Sequence, residues 1–248
     1  MEHSPELPEE ILVIIFSYSG GHNYFNQQVC SDFRRIIPRM EHVEYLEKLL
    51  SDGEQPKNFV PSRKFMKLAV KKGLLHLLEA CKGLISRNSI CEKAAKKGNL
   101  QVLQWARSKG YPWDVYTCRY AARYGHLDIL QWARANGCEW DEKVCSNAAY
   151  GGQLEILQWL RANGCDWDSD VCYCASATGH LQILQWARAN GCDWDKWVCS
   201  AAARGGHLEI LQWLRANGCD WNEATCSEAV RNGHLELLQW ARDNGCPE

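Results

Sequence analysis

Fourteen cysteines and eight histidines are the side chains of this 248-residue sequence with the most latent chemistry. Thiolates and imidazoles could hold zinc or serve as nucleophile and base. Their spacing argues against both. The cysteines alternate at separations of 7 and 20 residues along most of the chain, with no C-x-x-C knuckle anywhere. His126, His180, His207 and His234 each follow a glycine, and Asn99 and Gln153 stand in the same place, so that position asks for a polar group at a helix start rather than a catalyst. Asp128, Glu155, Glu209 and Glu236 recur at one repeated position instead of converging. No catalytic residue, metal site or cofactor is predicted.

What the chemistry does not claim, packing does. Cysteine is among the most buried residue types and behaves as a small hydrophobe. Eleven of the fourteen fall into two series with a period of 27: Cys91, Cys118, Cys145, Cys172, Cys199, Cys226, and Cys138, Cys165, Cys192, Cys219, Cys246. Trp105, Trp132, Trp159, Trp186, Trp213 and Trp240 keep the same period, as do Trp113, Trp140, Trp167, Trp194 and Trp221. So do Gly98, Gly125, Gly152, Gly179, Gly206 and Gly233. A fixed period of this length marks a stack of supersecondary units.

One unit, WDEKVCSNAAYGGQLEILQWLRANGCD, reads as two helices. Asp141 is the expected N-cap of the first, Gly151 and Gly152 make the turn, and Gly164 is the C′ glycine of the second. In the second helix Leu154, Ile156, Leu157, Trp159 and Leu160 cover most of the circumference, leaving Glu155, Gln158 and Arg161 as a polar stripe. A pair this apolar is stable only between neighbours. Upstream, KFMKLAVKKGLLHLLEACKG carries the same skeleton with Ala80 in place of the tryptophan, which predicts a degenerate first repeat.

The skeleton A-A-x-x-G-H-L-E-I-L, seen in AAARGGHLEIL and AARYGHLDIL, resembles the ankyrin repeat over residues 65–248. Ankyrin units run to about 33 residues and include a β-hairpin finger. Twenty-seven residues leave room for the helices and about four linking residues. The expected fold is therefore all-α: an ankyrin-like α-solenoid of stacked helix pairs lacking β-hairpin fingers, with a small N-terminal helical segment. Such short, Trp- and Cys-rich arrays are similar to those of amoebae and the large DNA viruses that infect them. The resemblance implies protein binding and no enzymatic activity.

The segment from Leu7 to Ile37 lies outside the period. Its L-P-x-E opening and V-C-x-x-F-R sequence resemble an F-box, through Leu7, Pro8, Glu10, Val29, Cys30, Phe33 and Arg34. Pro8 suits a first helical turn, and Ile11, Leu12, Ile14, Ile15 and Tyr18 form an apolar face too broad for so short a segment to hide. The resemblance implies docking onto the Skp-type adaptor of a cullin-based ubiquitin ligase through Leu7, Pro8, Ile11, Leu12, Val29 and Phe33; the alternative is that these helices only cap the stack. The organisation read from sequence is an F-box-like segment at 1–40, a connecting helix or linker at 41–62, and one degenerate plus six 27-residue repeats at 63–248.

Net charge is −2, distributed as −6 over residues 1–56, +9 over 57–97 and −5 beyond. The basic run has only Phe59 and Phe65 interleaved, so it reads as a solvated face rather than a nucleic-acid site. The acidic start MEHSPELPEE is unlike a signal peptide, and no apolar run is long enough to span a bilayer. These features predict a cytoplasmic protein with reduced thiols, with the nucleus, or the host cytoplasm for a viral protein, as alternatives.

A partner should contact what varies between units. The second helix barely changes, whereas the first varies at offsets 2, 6 and 9 from its capping position, about 140° to 160° from the inward side at 100° per residue. Those positions are Tyr116, Tyr120, Arg123; Lys143, Asn147, Tyr150; Asp170, Cys174, Ala177; Trp197, Ala201, Arg204; and Ala224, Glu228, Arg231. Trp197 is the expected hot spot, because exposed tryptophan, tyrosine and arginine dominate interfaces.

Overall fold

In every unit the first helix is rich in alanine and cysteine, residues small enough to let neighbouring helices approach closely, and the second supplies the bulk. The computed structural model describes residues 41–54, 59–87 and 89–247, and all of its described elements are helical. The F-box-like positions Leu7, Pro8, Ile11, Leu12, Val29 and Phe33 lie outside the described residues. The chain divides at residue 87 into two units.

The first unit holds α1 (His42–Ser51), α2 (Arg63–Lys72) and the short α3 (Leu75–Ala80), followed by a 3₁₀ turn at Lys82–Leu84. Leu46, Val70, Leu77 and Leu78 are buried in it. Its polar joints are specific. Lys72 reaches both Glu41 and Glu44 at the start of α1, at 2.9 and 2.8 Å. The Glu47 carboxylate accepts the backbone N–H groups of His76 and Leu77, at 3.0 and 2.7 Å, supplying from α1 the cap that Leu74 cannot give α3.

The second unit contains six helix pairs: α4 (Ile90–Lys97) with α5 (Leu100–Ser108), α6 (Val115–Tyr124) with α7 (Leu127–Ala135), α8 (Lys143–Tyr150) with α9 (Leu154–Ala162), α10 (Asp170–Thr178) with α11 (Leu181–Ala189), α12 (Trp197–Gly205) with α13 (Leu208–Ala216), and α14 (Glu223–Asn232) with α15 (Leu235–Asp243). The first helices lie side by side in the order α4, α6, α8, α10, α12, α14. Cys118, Ala121 and Ala122, and Val144, Cys145, Ala148 and Ala149, are completely buried in the contacts so made. Residues 110–114 and their equivalents link successive pairs through a left-handed glycine and irregular backbone, and no strand occurs among the described residues. The stack is therefore built without fingers.

The second helices bury Ile156, Leu157 and Leu160, and the matching positions of each unit. The eleven tryptophans of the two repeated series are half-buried rather than part of the core. Each linker tryptophan meets the next unit's second-helix tryptophan edge-on, as in Trp113 with Trp132 and Trp140 with Trp159, at 5.6 and 5.8 Å between ring centroids. Above the linker ring lies an arginine from the preceding second helix: Arg107, Arg134, Arg161, Arg188 and Arg215 stand 4.2 to 4.4 Å from the centroids of Trp113, Trp140, Trp167, Trp194 and Trp221. Arg161, read from sequence as part of a polar stripe, is thus a packing residue. Its guanidinium also donates to the Cys165 carbonyl at 2.7 Å.

The repeated glycine has two reasons to be there. Gly152 adopts φ 75°, in the left-handed region, and a Cβ on it would stand 2.7 Å from the His180 ring of the following unit. His126, Gln153, His207 and His234 lie in the same way on Gly98, Gly125, Gly179 and Gly206. The polar residue at each of these helix starts does not cap its own helix through its side chain. It reaches back to the preceding unit, as His234 does to the Arg204 carbonyl at 3.2 Å. Only Asn99, at the start of α5, caps as a side chain, accepting from the Val102 N–H at 3.0 Å.

Asp141, the expected N-cap, is a correction. Asp114, Asp168 and Asp195 accept the N–H two residues on, at 3.0, 3.0 and 2.9 Å. The Asp141 carboxylate is instead taken by Arg119 of the preceding unit, which donates from Nε at 3.1 Å and from a second guanidinium nitrogen. The charge-assisted fork outcompetes a backbone N–H for the same oxygens.

Burial at one position of the first helix is incompletely satisfied. Thr117 is fully buried and its hydroxyl has no partner among the described residues. Val144, Val171 and Val198 hold the equivalent position in other units. Thr117→Val is expected to stabilise the protein by about 1 kcal/mol, by removing the desolvation cost of an unpaired hydroxyl. Urea denaturation measures it, and a loss of stability would show that the hydroxyl is satisfied in solution.

Candidate functional site

The exposed side of the first helices is shaped by offsets along each helix and by which side chains neighbouring helices bring against them. Tyr116, Tyr150 and Trp197 are 42–50% exposed, and Arg204 and Arg231 are also on the surface. Tyr120, Arg123, Lys143, Asn147, Asp170 and Glu228 are half-buried, as are Cys174, Ala177 and Ala224. Ala201 is buried at 1%, contrary to expectation. Its methyl group cannot reach past the larger side chains around it.

These residues form two clusters. At the N-terminal end of the stack, Tyr116, Tyr120 and Tyr124 run along α6 at intervals of four residues, with successive ring centroids 6.4 Å apart. Lys96 of α4 lies 5.8 and 5.3 Å from the Tyr120 and Tyr124 rings, Arg119 lies 4.8 Å from Tyr116, and Arg123 lies 3.9 Å from Tyr150 of α8. Tyr124 and Lys96 were not among the positions singled out from the sequence. The i, i+4, i+8 spacing of the three tyrosines was the available signal.

The electrostatics of this cluster follow from which cations are already paired. Arg119 is engaged by Asp141, and Lys143 by Asp168, at 3.3 Å, and by Asp170. Those two carboxylates raise the pKa of Lys143, the Asp170 hydrogen bond contributing most. Lys93, Lys96, Lys97 and Arg123 make no ion pair among the described residues. Asn147 spends its amide on the Lys143 carbonyl at 2.8 Å. The result is a row of three tyrosine rings, the outer two exposed, with four cations near them that are in no ion pair among the described residues.

The second cluster surrounds Trp197. A hollow of about 160 Å³ is lined by Tyr173, Trp197, Ser200, Ala201, Arg204, Ala224 and Glu228, drawn from α10, α12 and α14. Arg204 lies over Tyr173 at 5.5 Å and Lys196 over Trp197 at 5.9 Å. Glu228 is held at the edge by Arg231, at 3.0 Å. Tyr173 and Lys196 are further residues that sequence reasoning did not select. On α10, between the clusters, Asp170 pairs with Lys143 of α8, and Cys174 and Ala177 are half-buried.

No group of three or more His, Cys, Asp or Glu side chains able to hold a metal occurs among the described residues, and no described helix is long and apolar enough to cross a membrane. The histidine row is a structural joint with a titratable consequence. Burial holds the His207 imidazole below its ordinary pKa, opposed by its hydrogen bond to the Ala177 carbonyl and reinforced by His180 and His234 on either side. A histidine that is harder to protonate folded than unfolded favours the native state above the unfolded pKa, and that contribution is lost as pH falls through the interval between the two values. Melting temperature should therefore fall as pH is lowered from about 7.5 to about 5.5. His207→Gln, which copies Gln153, should flatten that decline; an unchanged slope would remove His207 as its source.

The family model for ankyrin repeats (many copies) matches residues 118–161, 171–215 and 198–242. No curated protein matches the chain.

Proposed function

Residues 118–242 form an ankyrin-repeat region, and from this we propose that the protein is a non-enzymatic binding module that holds a protein partner on the exposed face of its first helices. The observation that carries the reading is the contrast within each unit. The second helix is nearly invariant and locked by the Arg–Trp contacts, while the first varies at positions that present tyrosine, tryptophan, lysine and arginine. A rigid scaffold under a variable aromatic and charged surface is what selective recognition requires.

The contact surface includes Tyr116, Tyr120, Arg123, Lys143, Asn147 and Tyr150 at one end and Asp170, Trp197, Arg204, Glu228 and Arg231 at the other. Lys93, Lys96, Lys97 and Arg123, in no ion pair among the described residues, favour an acidic partner segment, with the tyrosine edges supplying apolar contact. The experiment is to recover the partner by proximity labelling in the native cell and titrate the purified pair. Lys96→Glu with Arg123→Glu is expected to weaken binding at least about tenfold and to flatten its salt dependence. Equal affinity would place the contact elsewhere.

A second reading rests on the sequence pattern at Leu7, Pro8, Val29 and Phe33. In it, the N-terminal segment docks a Skp-type adaptor and the repeats present a substrate for ubiquitination. Pull-down with purified adaptor decides it: binding lost on Leu7→Ala with Pro8→Ala supports it, and no binding by the wild type ends it. In the stand-alone reading, removal of residues 1–40 lowers the melting temperature and leaves partner binding intact.

A further inference from the structure

The two cysteine columns, separate in the sequence, meet in the fold. Cys145 lies on α8 and Cys165 in the loop that closes the same helix pair. A helical Cβ tilts toward the N-terminus, so the Cys145 thiol lies over the turn that begins at Asp141. Cys165 Sγ sits against that same turn, 3.5 Å from the Asp141 carbonyl oxygen. In the equivalent pair two units on, the helix thiol of Cys199 stands 3.9 Å from the carbonyl oxygen of the loop residue Cys219, which brings the two cysteines together.

The arrangement recurs with each period. The loop thiols of Cys138, Cys192, Cys219 and Cys246 lie 3.4, 3.4, 3.5 and 3.8 Å from the carbonyls of Asp114, Asp168, Asp195 and Asn222. Their partners are Cys118, Cys172, Cys199 and Cys226. Every member is buried. Closing a unit does not require the pair, because Cys91 of α4 faces a loop whose equivalent residue is Tyr111. Packing accounts for one small residue at each position; it does not account for a cysteine at both positions in five successive units.

We propose that each of these five pairs is an oxidation site, at which hydrogen peroxide or another two-electron thiol oxidant joins the two sulfurs in a disulfide within one repeat. The loop sulfur attacks a peroxide oxygen and the O–O bond breaks. The released hydroxide takes a thiol proton and leaves as water, and the loop sulfur becomes a sulfenic acid. The helix sulfur then attacks that sulfur, forming the S–S bond and expelling the hydroxyl, which leaves as a second water with the helix thiol's proton. Two thiols lose two electrons and two protons, and one peroxide is reduced to two waters.

The pairs are polarised for this sequence. In four of them the neighbouring helix thiol favours the loop thiolate and lowers the pKa of Cys138, Cys165, Cys192 and Cys219, while the helix thiol is pushed up by that neighbour and by burial. The loop sulfur is thus the better first nucleophile. A bridge closing a loop of this length restricts the unfolded chain, so the oxidised stack should melt higher than the reduced one.

The test uses the full-length chain, reduced, freed of reductant and exposed to hydrogen peroxide. Intact mass should fall by two hydrogens per bridge, up to ten hydrogens, and peptide mapping should link each helix cysteine to the loop cysteine of its own unit. Dithiothreitol should reverse both the mass change and the rise in melting temperature. Cys165→Ala should lose the link in its own unit and retain the others, with circular dichroism confirming the fold. The proposal is overturned if peroxide that fully oxidises a small dithiol leaves the pairs reduced, if oxygen atoms are added without hydrogen loss, or if the links run between units. Should Cys165→Ala fail to fold, the wild-type map alone decides.

Discussion

Leu157→Ala is expected to lower the unfolding free energy by about 3 to 4 kcal/mol. Leu157 is completely buried on α9, in the middle of the stack, with Ile156 and Leu160 on either side of it in the core. Truncation removes the transfer energy of the lost carbons and leaves a cavity that the helix ladder cannot collapse. Because each repeat is stabilised mainly by its neighbours, the loss falls on contacts shared along the array. Urea unfolding followed by helix content measures it. Gln158→Ala, one residue along and exposed, should change stability by no more than about 0.5 kcal/mol. If Leu157→Ala cost no more than that control, α9 would not be packed as described.

The second large effect concerns recognition. Trp197→Ala is expected to weaken partner binding by about thirtyfold, equivalent to about 2 kcal/mol, while leaving the melting temperature nearly unchanged. The ring is 50% exposed and borders the hollow shared with Tyr173, Arg204 and Glu228. Its backbone is fixed by the Asp195 carboxylate, which accepts the Trp197 backbone N–H at 2.9 Å, so little backbone freedom remains to be lost on binding. Calorimetric titration of the purified partner reads the change. Affinity unchanged by the substitution would remove this cluster from the interface.

The elements of the stack are legible in the sequence because a period of 27 constrains every unit at once. Ala148, Ala149 and Cys145 repeat on one side of a helix and are buried; Gly164 ends the second helix with φ 75° as a C′ glycine should. What the period does not disclose is which column meets which. Arg119 and Asp141 are 22 residues apart, Trp140 and Trp159 are 19 apart, and His234 reaches the Arg204 carbonyl across 30. Each is a contact between neighbouring units, whose geometry depends on the rise and rotation from one pair to the next.

The same limit explains the errors in reading the surface. Asp141 has the composition of an N-cap, and only the position of Arg119 in the preceding unit diverts it. Ala201 occupies an outward offset, yet its methyl is too short to be reached by solvent beside Trp197 and Tyr173. Gly151 shows the close approach most directly: it adopts no left-handed conformation, but a Cβ there would lie 1.9 Å from the Arg123 carbonyl oxygen of the adjacent first helix. A glycine set by a neighbour's backbone cannot be distinguished, in sequence, from one set by a turn.

The most direct test of the binding face is photo-crosslinking in the native cell. A benzophenone amino acid is placed singly at Tyr116, Tyr150 or Trp197 on the first helices, or at Gln131, Gln158 or Gln185, exposed on the second helices. The first-helix positions are predicted to crosslink to one common protein and the glutamine positions to none. Crosslinks to a common protein from the glutamine positions alone would contradict the account.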